Sequence, residues 1–91
     1  MDLQRIFENK SLFATRKVDN EMILVPVRNN IANMDEIYNL NELGCFIWAQ
    51  IDAVNTKEII LNKIILEFDI DEKNANRDFD EFIKKLEGII K

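Results

Sequence analysis

The side chains that most often carry catalysis are scarce in this chain. It has no histidine and a single cysteine, Cys45. Without imidazole there is no Ser-His-Asp or Cys-His activation of a nucleophile, no histidine acid–base chemistry, and no zinc centre of the four-ligand kind. One thiol cannot form an internal disulfide, which fits a reducing compartment. Cys45 precedes Phe46 in an apolar stretch and reads as a buried, inert thiol. Two glycines and one proline cannot supply a glycine-rich phosphate cradle. Asp69-Ile70-Asp71 has the opening of a calcium loop, but Lys73 stands where an oxygen ligand belongs and Asn74 where glycine belongs. No catalytic residue, metal or cofactor is expected. A module that binds another molecule is what remains.

Composition narrows the partner. The chain has 91 residues, 47% of them apolar and 32% charged, the balance of a single soluble domain with one core. Its apolar runs are far short of the ~20 residues of a membrane span, and its first residues lack a secretory signal layout. A cytoplasmic protein with no membrane partner is therefore expected. The formal net charge is −5, unevenly spread. Residues 1–34 carry five Lys/Arg against four Asp/Glu, and residues 35–91 carry seven against thirteen. A face that neutralises phosphates must be basic, so a nucleic-acid partner is not expected.

These side chains need a scaffold, and the periodicity supplies one. Residues 12–18 and 21–27 are rich in β-branched and apolar types and read as strands, joined by a reversal at Asp19-Asn20. Pro26 belongs at the end or on an edge of the second strand. Residues 28–33 read as a loop. Residues 34–40 alternate as a third strand, with Met34, Tyr38 and Leu40 on one face and Asp35, Ile37 and Asn39 on the other. From residue 41 the period is helical. Asn41 and Thr56 are N-caps, each soon followed by an acidic residue, Glu42 and Glu58. The first helix carries Leu43, Ile47, Trp48 and Ile51 inward and ends near Asp52. The second runs to about Phe68 on a stripe of Ile60, Leu61, Ile64, Ile65 and Phe68. Asp71 or Asn74 starts a third, with Ala75, Phe79, Phe82, Ile83, Leu86 and Ile90 as its stripe. The first eleven residues form an N-terminal arm with a short helical pattern (Leu3, Ile6, Phe7), either ordered or frayed, ahead of a domain over 12–91. The expected class is α+β: three antiparallel strands followed by three helices, winged helix-turn-helix-like.

Several residues, in order, resemble a known family: Leu40-Asn41-Glu42, Ile47-Trp48, Ile51-Asp52, Thr56-x-Glu58-x-Ile60, Phe68-Asp69, and Phe79-x-x-Phe82-x-x-x-Leu86. Over about residues 12–91 the chain is similar to the PqqD family, whose fold is also called the RiPP recognition element. The resemblance implies a protein with no catalysis of its own. Such a protein captures the leader segment of a ribosomally made precursor peptide and presents it to a modifying enzyme, often a radical SAM maturase. It further implies that the leader adds as an extra strand beside the third strand and against the third helix. Two departures stand out. Asp52-Ala53 replaces the family's usual Asp-Gly, which asks that turn to form without glycine freedom, and the connection over 28–33 is long.

Carried onto this sequence, the peptide-binding edge is Asp35, Glu36, Ile37, Tyr38 and Asn39. If Tyr38 and Leu40 anchor the strand, Ile37 points away from the core, toward a client, the N-terminal arm or a dimer mate. The third helix has two polar flanks, one with Asn76, Asp80 and Glu87 and one with Asp78 and Lys85, and the sequence does not distinguish them. We place Asn76, Asp80, Ile83 and Lys84 on the groove wall. Ile59 and Leu66, seven apart on the second helix and nearly opposite its main stripe, suggest a second contact surface for a homodimer or for the enzyme. The alternatives from other classes are a DNA-binding winged helix-turn-helix regulator and a dimerising assembly subunit. The first would need a basic recognition helix, yet Asp78, Asp80, Glu81 and Glu87 lie among Arg77, Lys84 and Lys85.

Overall fold

The computed structural model describes residues 3–28, 31–32 and 37–90. Helix α1 (Leu3–Asn9) and one 3-10 turn (Lys10–Leu12) lead into strand β1 (Phe13–Val18) and strand β2 (Glu21–Arg28). Two short strands follow, β3 (Ile31–Ala32) and β4 (Tyr38–Leu40), then helices α2 (Glu42–Gln50), α3 (Lys57–Phe68) and α4 (Glu72–Ile89). The α+β class holds, and winged helix-turn-helix describes it loosely, because α1 is a fourth helix. Its Ile6 is 1% exposed and belongs to the main core.

β2 is the centre of an antiparallel sheet. On one side it pairs with all of β1, from Phe13↔Pro26 to Val18↔Glu21. The reversal is Asp19-Asn20 as expected, and Asp19 takes φ 55°, a left-handed conformation that a short polar side chain tolerates. On its other side β2 pairs first with β4, through Met22↔Leu40, Ile23↔Asn39 and Leu24↔Tyr38, and farther along with β3, through Val27↔Ala32 and Arg28↔Ile31. Of the third strand expected over 34–40, Tyr38–Leu40 forms β4, Ile37 lies just before it, and Met34, Asp35 and Glu36 lie outside the described residues. Ile31–Ala32, read as loop, is a strand. The two ladders flank Val25 and Pro26, and Pro26 has no N–H to donate there. Pro26 lies near the end of its strand, as expected, but that strand is central rather than an edge.

The helices start where side chains can cap them. Gly44 N–H donates to Asn41 Oδ1 at 2.8 Å, Ile59 N–H to Thr56 Oγ1 at 3.4 Å, and Asn74 N–H to Asp71 Oδ1 at 2.8 Å. Asp69-Ile70-Asp71 is a junction of two helices: Asp69 is the left-handed C-cap of α3 at φ 52°, and Asp71 is the N-cap of α4. The turn after α2 forms without glycine. The carboxylate of Asp52 accepts from the N–H of Asn55 at 2.6 Å and of Val54 at 2.8 Å, and these two bonds, Asn55 first, hold its pKa below the usual carboxylate value. Lys10 Nζ closes the end of α2, donating to the carbonyls of Trp48 at 2.7 Å and Ile51 at 3.0 Å. Partial burial lowers the Lys10 pKa, and the nearby Asp52 charge opposes that shift.

The core sits between the sheet and the helices. Leu24 and Leu40 from the sheet meet Ile47, Trp48 and Ile51 of α2 and the end of that helix, Ile60 and Ile64 of α3, and Ala75, Phe79, Ile83 and Leu86 of α4. Each large aliphatic or aromatic side chain fully buried here stabilises the fold by about 1.5–3 kcal/mol. The helical stripes expected from the sequence are these, with Leu43, Leu61, Ile65, Phe68 and Phe82 half-buried at their margins. No helix among the described residues is long and apolar enough to cross a membrane.

Candidate functional site

Strand β4 has β2 on one side and, among the described residues, no strand on the other. Its outer edge therefore presents backbone N–H and C=O groups without ladder partners. Beside that edge runs a groove of about 460 Å³, bounded by Asn39 and Leu40 of β4 and by Asp78, Glu81, Phe82 and Lys85 of α4. Its floor is α2, through Leu43, Gly44 and Ile47, with Glu21 of β2 and the cap residue Asn41 also lining it. No residue of α1 lines it.

The floor owes its depth to Gly44. A Cβ there would stand 3.1 Å from Phe82 Cε1, 3.3 Å from Asn41 Oδ1 and 3.4 Å from Leu40 Cβ. The missing side chain lets α2 approach Phe82 and keeps the cap bond to Asn41 in place. Cys45 follows directly on α2, half-buried, with Sγ 3.5 Å from the Leu40 carbonyl. Burial pushes its thiol pKa up, so the reactive thiolate is disfavoured.

Of the expected edge residues, Asn39 is exposed and lines the groove, Tyr38 is half-buried against the core, and Ile37 is 42% exposed just before the strand. Asp35 and Glu36 lie outside the described residues. On α4 the groove is walled by the other flank from the one we placed there. Ile83 is 1% exposed inside the core. Asp80 faces α3, where Lys57 Nζ approaches it at 3.0 Å. Asn76 and Lys84 are exposed and do not line the groove. The groove flank is instead the line Asp78, Phe82 and Lys85, spaced i, i+4 and i+7, together with Glu81. A signal for this was present: Phe82 lies off the midline Ala75, Phe79, Ile83 and Leu86, toward Asp78 and Lys85, and an apolar margin beyond what the core needs marks a side that something else can cover. Ile59 and Leu66 are 40% and 84% exposed on α3.

The two sheet edges differ in chemistry. The outer edge of β1 carries Arg16 and Lys17 in an exposed strand, the kind of charge that discourages strand addition. Residues 37–40, Ile-Tyr-Asn-Leu, carry none.

A family model described as coenzyme PQQ synthesis protein D (PqqD) matches residues 21–88. Among solved structures, the chain is similar to TbiB1 in complex with the TbiA(beta) leader peptide, with a TM-score of 0.70 and 20% sequence identity, covering 87% of this chain and 86% of that one. At that identity the likeness is one of fold. No curated protein matches the chain.

Proposed function

The chain belongs to the PqqD family, and from that premise we propose that it is a non-catalytic adaptor that captures the leader segment of a ribosomally made precursor peptide. The leader adds as a strand to β4 and lies in the groove against α4. Main-chain hydrogen bonds to the open edge give affinity, and side chains in the groove give selectivity. The leader is then presented to a modifying enzyme, a radical SAM maturase in our reading. Presentation works through effective concentration: a tethered core peptide meets the enzyme almost intramolecularly.

The observation that carries this reading is a β4 edge with no strand partner among the described residues and a groove beside it, while β1 at the opposite edge of the sheet exposes Arg16 and Lys17. That TbiB1, similar in fold, is in complex with a leader peptide supports a leader segment as the kind of client.

Isothermal titration with the synthetic leader encoded beside this gene tests it. Binding is expected with a negative heat-capacity change. Phe82→Asp should weaken it by on the order of tenfold to a hundredfold, the equivalent of the ~1.5–3 kcal/mol carried by one buried large side chain. Ile37→Asp should weaken it less. Unchanged affinity in both variants, with circular dichroism showing both folded, would refute the placement.

A further inference from the structure

We propose that the groove selects a strand in which one large apolar side chain is flanked by Lys or Arg. This rests on the strand-addition reading and adds the chemistry of the occupant.

The floor is apolar: half-buried Leu43 and Phe82 flank the space that Gly44 leaves open, with Leu40 and Ile47 of the core beneath. An incoming strand alternates its side chains, so one of them can be set down on this floor while its neighbours reach the rim. The rim is acidic, with Glu21, Asp78 and Glu81 against Lys85 alone. Glu21 and Glu81 have no ion-pair partner among the described residues, and the one contact of Asp78 is to its sequence neighbour Arg77 at 3.5 Å, whose side chain is largely exposed. The other flank of the same helix differs, since there Asp80 is matched by Lys57 at 3.0 Å. On α4, Asp80 is thus paired with a cation of α3, while on the groove side Glu81 has no ion-pair partner among the described residues and Asp78 has its exposed sequence neighbour Arg77. Carboxylates beside an apolar floor favour a cation and speed its encounter in a salt-dependent way. An acidic strand would meet three carboxylates, offset by Lys85 on the rim and by the exposed Arg77 beside Asp78.

The test pans a random peptide library displayed on phage against the full chain and against the charge-reversed Asp78→Lys/Glu81→Lys variant. Both positions are on the helix surface; a second variant, Glu21→Lys on β2, reports independently of α4. The wild type should enrich Lys and Arg on either side of a Phe, Leu, Ile or Trp. The double variant should still bind peptides but enrich Asp and Glu around the same apolar residue. A synthetic peptide chosen by the wild type should bind the double variant roughly tenfold more weakly at low salt, and the gap should close as salt screens the rim. Enriched peptides with no charge preference, or the same preference in wild type and variants, would overturn the inference and leave strand addition standing. No enrichment against any of the proteins would remove strand addition itself, and this inference with it.

Discussion

At the scale of single residues, two side-chain positions set the groove and the turn behind it. Gly44 is a close-approach glycine inside a helix, where alanine would ordinarily gain up to about 1 kcal/mol in propensity. Here an added methyl meets Phe82 Cε1 at 3.1 Å and pushes the ring into the groove. Gly44→Ala is therefore expected to lower leader affinity by roughly tenfold, about 1.4 kcal/mol, with little change in melting temperature; titration and thermal melts together check it. Asp52 closes the turn after α2, in which no described residue takes a positive φ that would call for glycine. Its carboxylate pKa is lowered by the N–H groups of Asn55 and Val54. A depressed carboxylate stabilises the fold above its unfolded value of about 3.9, and that contribution is lost as pH falls through the lower folded value. The stability gap between wild type and Asp52→Ala should therefore be widest near neutrality and narrow below about pH 4, as denaturant titrations at several pH values would show.

Among elements, the helices were legible because each carries its own boundary chemistry. Asn41, Thr56 and Asp71 cap α2, α3 and α4, and a cap is decided within one turn of chain. The third strand was less legible, since a strand exists only by its pairing. The alternation over 34–40 puts Tyr38 and Leu40 on the inward face, where they are found, but among the described residues the ladder beside Met22, Ile23 and Leu24 begins only at Tyr38, with Ile37 outside it. The outer face of α3 leaves a contact surface as a prediction. Ile59→Glu with Leu66→Lys should lower the association state or weaken docking of the modifying enzyme while leaving leader affinity unchanged. Analytical ultracentrifugation and pull-down with the enzyme measure this, and a monomeric wild type whose enzyme docking survives the double change would remove the idea.

For the molecule as a whole, α1 is held by the core rather than by the β4 edge. Ile6 is buried among the core side chains, and Lys10 ties the following turn to the end of α2. Ile6→Ala should cost about 2–5 kcal/mol of stability, the range for emptying a buried aliphatic site, and should leave leader affinity of the folded protein unchanged; a rise in affinity would mean that the arm competes for the groove. Residue types a few positions apart are enough to exclude histidine chemistry and to set the α+β class, the caps and the inward stripes. The polar residues of α4 do not decide which of its flanks borders the groove, and the off-centre Phe82 is a lean that gains meaning only once the neighbours of the helix are known. Asn76, Asp80 and Lys84 on one side and Asp78, Glu81 and Lys85 on the other are equally polar along an isolated helix. Packing of α4 against α3 breaks that symmetry among the polar residues, turning Asp80 to Lys57 and leaving Asp78 on the groove across from β4.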